Sequence, residues 1–225
     1  MRAIAKLLGL LALIMFLPAQ ANGCDQAPYP VVRIRVAETP AEFDLTRSVQ
    51  ELSRMPVGAP SPYPSHYHTE VGGVMNGEIA LDHKETFGGA QAGDKACVML
   101  KQIEITLTIS PTIYIASDFQ DQTCWFREIF EHESKHVETD RALIKKYQAR
   151  ITDGLNMMLM MPSDYASGWI ETSAVEGAQY DMQAGIENAL EVLFNTMMRE
   201  RAEMQREVDS VHEYNRIARA CRASS

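Results

Sequence analysis

The sequence predicts an α+β fold: a small, mainly antiparallel sheet packed on one long helix, with a second long amphipathic helix towards the C-terminus. Three observations predict it. Apolar and polar residues alternate from Val98 to Ile109, the apolar spacing lengthens from two to nearly four after Asp118, and Glu and Arg interleave with apolar residues at helical period up to about Ala220. The chain has 225 residues, 46% hydrophobic and 23% charged, which suits one globular domain of ordinary composition. With 21 Lys and Arg against 30 Asp and Glu, and no basic run, it lacks the electrostatic footprint of a nucleic-acid-binding protein.

The domain is expected to begin at residue 22. Arg2 and Lys6 precede an apolar stretch from Leu7 to Leu17, and Pro18 and Ala19-Gln20-Ala21 follow, the order of a secretory signal peptide (residues 1–21) cut after Ala21. That stretch is too short to span a bilayer, and no later segment reaches the roughly 20 apolar residues a span needs. A mature chain without a transmembrane segment, periplasmic or secreted, is therefore expected. Four cysteines, Cys24, Cys97, Cys124 and Cys221, suit two disulfides in an oxidising compartment. Spacing permits three pairings; the expected ones are Cys97 with Cys124, stapling strand to helix, and Cys24 with Cys221, joining the chain ends. The competing reading is a lipoprotein acylated on Cys24 after Ala21-Asn22-Gly23.

Each element has its own signal. Val32, Ile34 and Val36 alternate with Arg33 and Arg35, a short half-buried strand. Residues 56 to 64 hold Pro56, Gly58, Pro60, Pro62 and Pro64, a run that no regular element tolerates and that predicts an exposed loop or lid. Gly72-Gly73 and Gly88-Gly89 punctuate two strand candidates, Val71 to Met75 and Glu78 to Phe87. Ile103, Ile105, Leu107 and Ile109 alternate with Glu104, Thr106 and Thr108, a strand with one wet face; Ser110-Pro111 ends it, and Thr112 to Ala116 continues it or returns. Trp125, Ile129, Val137, Leu143, Ile144, Tyr147 and Ile151 mark one face of a helix from about Cys124 to Thr152, stopped by Asp153-Gly154. Trp169, Val175, Ala178, Met182, Ile186 and Leu193 open the second helical pattern, with residues 187–220 as one long C-terminal helix able to mediate self-association and Gly177 or Gly185 as places for a break.

The chemistry sits on the first helix. His132-Glu133-Ser134-Lys135-His136 is HExxH: two imidazoles four residues apart project from successive turns towards one point, with a carboxylate beside them. Such a pair can chelate zinc, leaving an open position for a water that the metal acidifies. Glu133 would then act as general base towards that water and as general acid towards a leaving amine. Asp140 continues the i, i+4 series. It suits a carboxylate orienting the His136 ring through its other nitrogen, or a surface Asp paired with Lys145 or Arg141.

A third ligand has to come from elsewhere. Thr139 and Ala142 stand where the longer HExxHxxGxxH pattern needs Gly and a ligand, so that pattern is excluded. Glu171 lies near the apolar stripe of the second helix at about 100° per residue, and Glu176 and Asp181 remain alternatives if the helix kinks at Gly177. Each of the three is equally a solvated helix position. His66 and His68, flanking Tyr67 in the Pro-rich loop, are a further candidate pair, more simply read as exposed. The Met-rich stretch, with Met157, Met158, Met160 and Met161, fits adaptable core filling or, less well, a soft copper site. His83 and His212 carry no pattern.

Over residues 97 to 185 the chain resembles the uncharacterised bacterial family of secreted proteins taken to be zinc-dependent proteases. The resemblance rests on Cys97-Val98, Ile105-Thr106-Leu107-Thr108-Ile109 and Pro111, on the HExxH helix, and on Tyr180-Asp181; the family's Thr and His-Gly after that pair are replaced here by Met182-Gln183-Ala184-Gly185. The resemblance implies a zincin-like domain acting on peptide or protein substrates. The expectation from a different class is a noncatalytic periplasmic module that binds metal or assembles through its long helix.

Overall fold

The computed structural model describes residues 24, 26–55, 62–63 and 70–222. The expected signal segment, its cleavage point and the His66-Tyr67-His68 segment lie outside the described residues.

One long strand organises the sheet. β4 (Lys95–Ile115) pairs in parallel with β1 (Val31–Glu38), with Ile34 opposite Ile105, and with β2 (Glu42–Asp44), with Phe43 opposite Ile113. It pairs antiparallel with β3 (Gly73–Ala92) along nearly its whole length, and with the two residues of β5 (Ile170–Glu171). The sheet is therefore mixed, which corrects the mainly antiparallel expectation. Alternating polarity records which face is wet and is silent on a neighbour's direction. The two strand candidates around Gly72-Gly73 and Gly88-Gly89 form a single strand, β3, and Pro111 lies within β4 opposite Gly77. Gly93, with φ at 65°, leads the two-residue turn between β3 and β4, a position where glycine enters the left-handed region without strain.

The core forms on one face of that sheet. α1 (Val49–Leu52) and α3 (Pro162–Tyr165) are single turns; α2 (Thr123–Met158), α4 (Val175–Val208) and α5 (Val211–Arg222) carry the mass. Ile103, Ile105, Leu107 and Ile109 of β4 pack with Leu143, Ile144, Tyr147, Ile151 and Leu155 of α2 and with Ile186, Leu190 and Met197 of α4. A smaller cluster of Ile113, Ile115, Ile129 and Val137 sits under the first half of α2. Burial of these apolar side chains, at about 1.5–3 kcal/mol each, is what holds α2 against the sheet.

Two helix boundaries differ from expectation. α2 runs through Gly154, because α4 crosses so close that a Cβ there would stand 3.0 Å from Leu193 Cδ1; the glycine serves helix contact and not termination. The long C-terminal helix breaks at Asp209 and Ser210, not at Gly177 or Gly185, and its apolar residues Ile186, Leu190 and Met197 lie in the core. Among the described residues no helix is long and apolar enough to cross a membrane.

Both disulfides form, with a pairing opposite to the expected one. Cys24 joins Cys97, and Cys124 joins Cys221, at Cα separations of 6.2 and 5.5 Å. Cys97 opens β4 while Cys124 opens α2, and the chain runs from one to the other along the whole of β4, which keeps them apart. The packing of the last turn of α5 against the first turn of α2 places Cys124 beside Cys221 instead.

Candidate metal centre

The first half of α2 turns His132, Glu133 and His136 inwards because Ile129 and Val137, on the same face, are held under the sheet. All three polar residues are buried. The element that meets them is the joint between α4 and α5. Asp209 ends α4, and its Oδ1 lies 3.2 Å from His132 Nε2 and 3.2 Å from His136 Nε2. The two imidazoles stand edge to face, ring centroids 5.0 Å apart. Among the described residues these three side chains form the group able to hold a metal ion, with one donor atom of each lying within 4.8 Å of the others.

Gln205 decides the protonation of His136. Its Nε2 donates to the His136 carbonyl at 3.1 Å and to Asp140 Oδ1 at 2.8 Å, so its Oε1 must face the ring and accept from Nδ1. A neutral His136 thus presents the Nε2 lone pair to Asp209. Two acceptors 3.2 Å apart demand a cation or a proton between them. Burial alone would keep His136 neutral, but hydrogen bonding to Asp209 and the charges of Glu133 and Asp209 raise its pKa. Burial likewise works against the Asp209 carboxylate, yet the bonds to His132, His136 and Tyr214 outweigh it and hold Asp209 far below the ordinary range. Tyr214, from α5, donates its hydroxyl to Asp209 Oδ1 at 2.8 Å and lays its ring 5.2 Å from that of His132.

Glu133 lies against the open end of β3. The Met75 N–H donates to its carboxylate, and burial raises its pKa against the lowering effect of the two histidines. Gly73 makes this approach possible: a Cβ there would stand 2.6 Å from Ile129 Cγ2 and 2.8 Å from Glu133 Oε1.

Asp140 has a supporting role one step further out than expected. It is fully buried, takes both Arg201 Nε and Nη2 at 2.7 Å, and accepts from Gln205, and it is Gln205, not Asp140, that meets His136 Nδ1. Arg201 also donates to the Gly77 carbonyl at 2.8 Å, tying the relay to β3. The alternative of a surface Asp paired with Lys145 or Arg141 does not hold, and Arg141 pairs with Glu38 and Glu138.

None of the three carboxylates expected as third ligand reaches the imidazoles. Glu171 sits in β5 and pairs with Lys95 on the surface. Glu176 and Asp181 line a groove of about 1100 Å³ at the opposite end of the β3–β4 hairpin, together with Gly89, Cys97, Thr172 and Tyr180. The missed residues are Asp209, Gln205, Arg201, Glu213 and Tyr214. One signal for the break was present: Asp209-Ser210 followed by Glu213 is the S-x-x-E start of a new helix, and Ser210 Oγ does accept from the Glu213 N–H at 3.3 Å.

No protein-family model matches the chain, and no curated protein or solved structure proved similar to it.

Proposed function

We propose that this chain is an exported zinc-dependent peptidase, with His132, His136 and Asp209 as the zinc ligands and Glu133 as the general base. The observation that carries the reading is the convergence of two imidazole Nε2 atoms on one Asp209 oxygen, each at 3.2 Å. Tetrahedral zinc with bonds of about 2.0–2.1 Å needs donors about 3.3 Å apart, which this spacing approaches. Two histidines and one carboxylate leave one position free, as hydrolytic zinc sites require; zinc there would polarise a carbonyl and make a water acidic enough to attack it.

The chain's own groups supply the rest. Glu133 takes a proton from the attacking water on its carboxylate and passes it to the amine nitrogen as the C–N bond breaks, leaving a carboxylic acid and an amine. Burial, which raises its pKa, suits it to carry that proton between the two steps. β3 is paired on one side alone among the described residues, and beside Glu133 the Met75 N–H and the Gly77 carbonyl on its other edge are already taken by Glu133 and Arg201, so a peptide adding there would have to displace those contacts. Export is supported by two disulfides; Cys24, bonded to Cys97, is not available for acylation, which favours cleavage after Ala21 over a lipid anchor.

A second reading, a noncatalytic metal-binding module, is favoured by the burial of His132, Glu133 and His136 and by the placement of the large groove at the other end of the hairpin. Zinc content of the purified protein and of His132→Ala separates metal site from none: loss in the variant is expected, and equal zinc in both removes the site. Glu133→Gln then tests catalysis. It is expected to keep zinc and lose at least about a hundredfold in hydrolysis of a general peptide substrate; undiminished hydrolysis removes Glu133 from catalysis and leaves the metal site standing, and absence of hydrolysis in the wild type supports the noncatalytic module.

A further inference from the structure

The two imidazoles are held unequally. His136 Nδ1 is fixed by Gln205, whereas His132 Nδ1 is the buried side-chain nitrogen left without a hydrogen-bond partner among the described residues. A neutral His132 that gives its Nε2 lone pair to a cation must carry its proton on Nδ1, and a buried N–H needs an acceptor. Glu213 Oε1 lies 3.8 Å away, about 0.6 Å beyond hydrogen-bond reach. Its place in α5 makes the approach deliberate. In an S-x-x-E start the glutamate ordinarily turns back to the N-cap, but here its carboxylate is turned towards α2. It accepts from Lys135 Nζ at 2.5 Å and from Arg216 at 2.8 and 3.0 Å, and Arg216 is itself held by Glu128 at 2.6 Å. These partners keep the carboxylate charged and in front of the ring while the flexible Lys135 side chain leaves it room to shift.

We propose that Glu213 is the positioning residue of His132: when a metal ion is bound, its carboxylate closes the remaining gap, accepts a hydrogen bond from the Nδ1–H and fixes the ring. The inference rests on the metal-centre reading above. It assigns α5 two duties at one site, since Asp209 precedes its first turn and Glu213 lies within it.

The test is a Zn(II) titration against a chromophoric chelator, with ¹⁵N NMR of the histidine side chains, on wild type, Glu213→Gln, Glu213→Ala and, as control, Glu200→Gln, which breaks a comparable ion pair with Lys146 and Arg150 away from the site. Zinc affinity should fall about 10–100-fold in Glu213→Gln and further in Glu213→Ala, with the control unchanged. The His132 Nδ1 resonance of the zinc-loaded protein should move while that of His136 stays. Should Glu213→Ala not fold, the near-isosteric Gln variant still decides. Affinity within twofold of wild type, or a loss with no movement of the His132 resonance, overturns the positioning role and leaves the metal centre standing. A wild type that takes up no zinc overturns the metal centre itself.

Discussion

The two ends of the β3–β4 hairpin are built alike and do different work. Each has a disulfide and a glycine that allows close approach. At the turn end, Cys97 joins Cys24, and a Cβ on Gly89 would stand 2.5 Å from the Cys97 carbonyl oxygen. At the open end, Gly73 lets β3 close on Glu133, and Cys124 joins Cys221 to bind α5 to α2. The turn end adds covalent and steric constraint to an apolar core that is already large, with Leu100, Leu155 and Leu159 fully buried beside Cys97. The open end holds a helix of which only Glu213, Ile217 and Cys221 are buried, so charge pairs and one disulfide stand in for apolar burial. What differs is whether loss of the constraint leaves the surroundings intact.

Removing the disulfides gives the largest contrast. Their loops span 97 and 73 residues, and chain entropy assigns each about 4.5 kcal/mol with a difference of about 0.3 kcal/mol. Unfolding in urea should therefore show similar losses, about 2–4 kcal/mol, for Cys24→Ser with Cys97→Ser and for Cys124→Ser with Cys221→Ser. Zinc titration should separate them: only the second pair loosens α5, and it should weaken binding about tenfold or more because Asp209 is no longer pre-placed. Equal zinc affinity in the two would show that α5 needs no covalent clamp.

Alanine at the two glycines is a smaller perturbation of the same comparison. Gly73→Ala and Gly89→Ala should each cost about 1–3 kcal/mol of stability through overpacking. Peptide hydrolysis should fall further in Gly73→Ala, whose added methyl pushes on Glu133; equal residual activity per folded molecule would detach β3 from the site.

The acid limb of stability is the finest probe. Arg216 and, against the cost of burial, Lys135 hold the Glu213 pKa down to about 2 from an ordinary 4.5. A carboxylate with a lowered folded-state pKa stabilises fully above its unfolded value, and that contribution is lost as pH falls from about 4.5 towards 2. Thermal melts from pH 5 to 2 should be shallower in Glu213→Gln than in wild type. Parallel curves would place the acid sensitivity elsewhere.

What could be read in advance was what is local. β4, the course of α2 and the HExxH turn announce themselves within a few residues, because the period of a strand or helix is written in its own sequence. Asp209 is 77 residues from His132 and 73 from His136, so no spacing rule connects them; tertiary packing of α4 on α2 brings it there. Glu171 has the right phase only for a helix that includes it, whereas α4 starts at Val175 and Glu171 is a strand residue, to which helical phase does not apply. Disulfide pairing and the parallel register of β1 with β4 are likewise long-range outcomes. The break at Asp209-Ser210 was visible as a cap signature, but Glu and Arg at helical spacing on both sides masked it.

The position of Asp209 at the α4–α5 joint also orders events during synthesis. A chain that has emerged from the ribosome only as far as Met158 owns both histidines and the glutamate but lacks the acidic donor, and it cannot gain that donor until α4 has been made and has docked along α2. Any ion held by all three side chains is therefore acquired late, by a nearly finished fold. A half-made chain carries the recognisable motif without the means to use it.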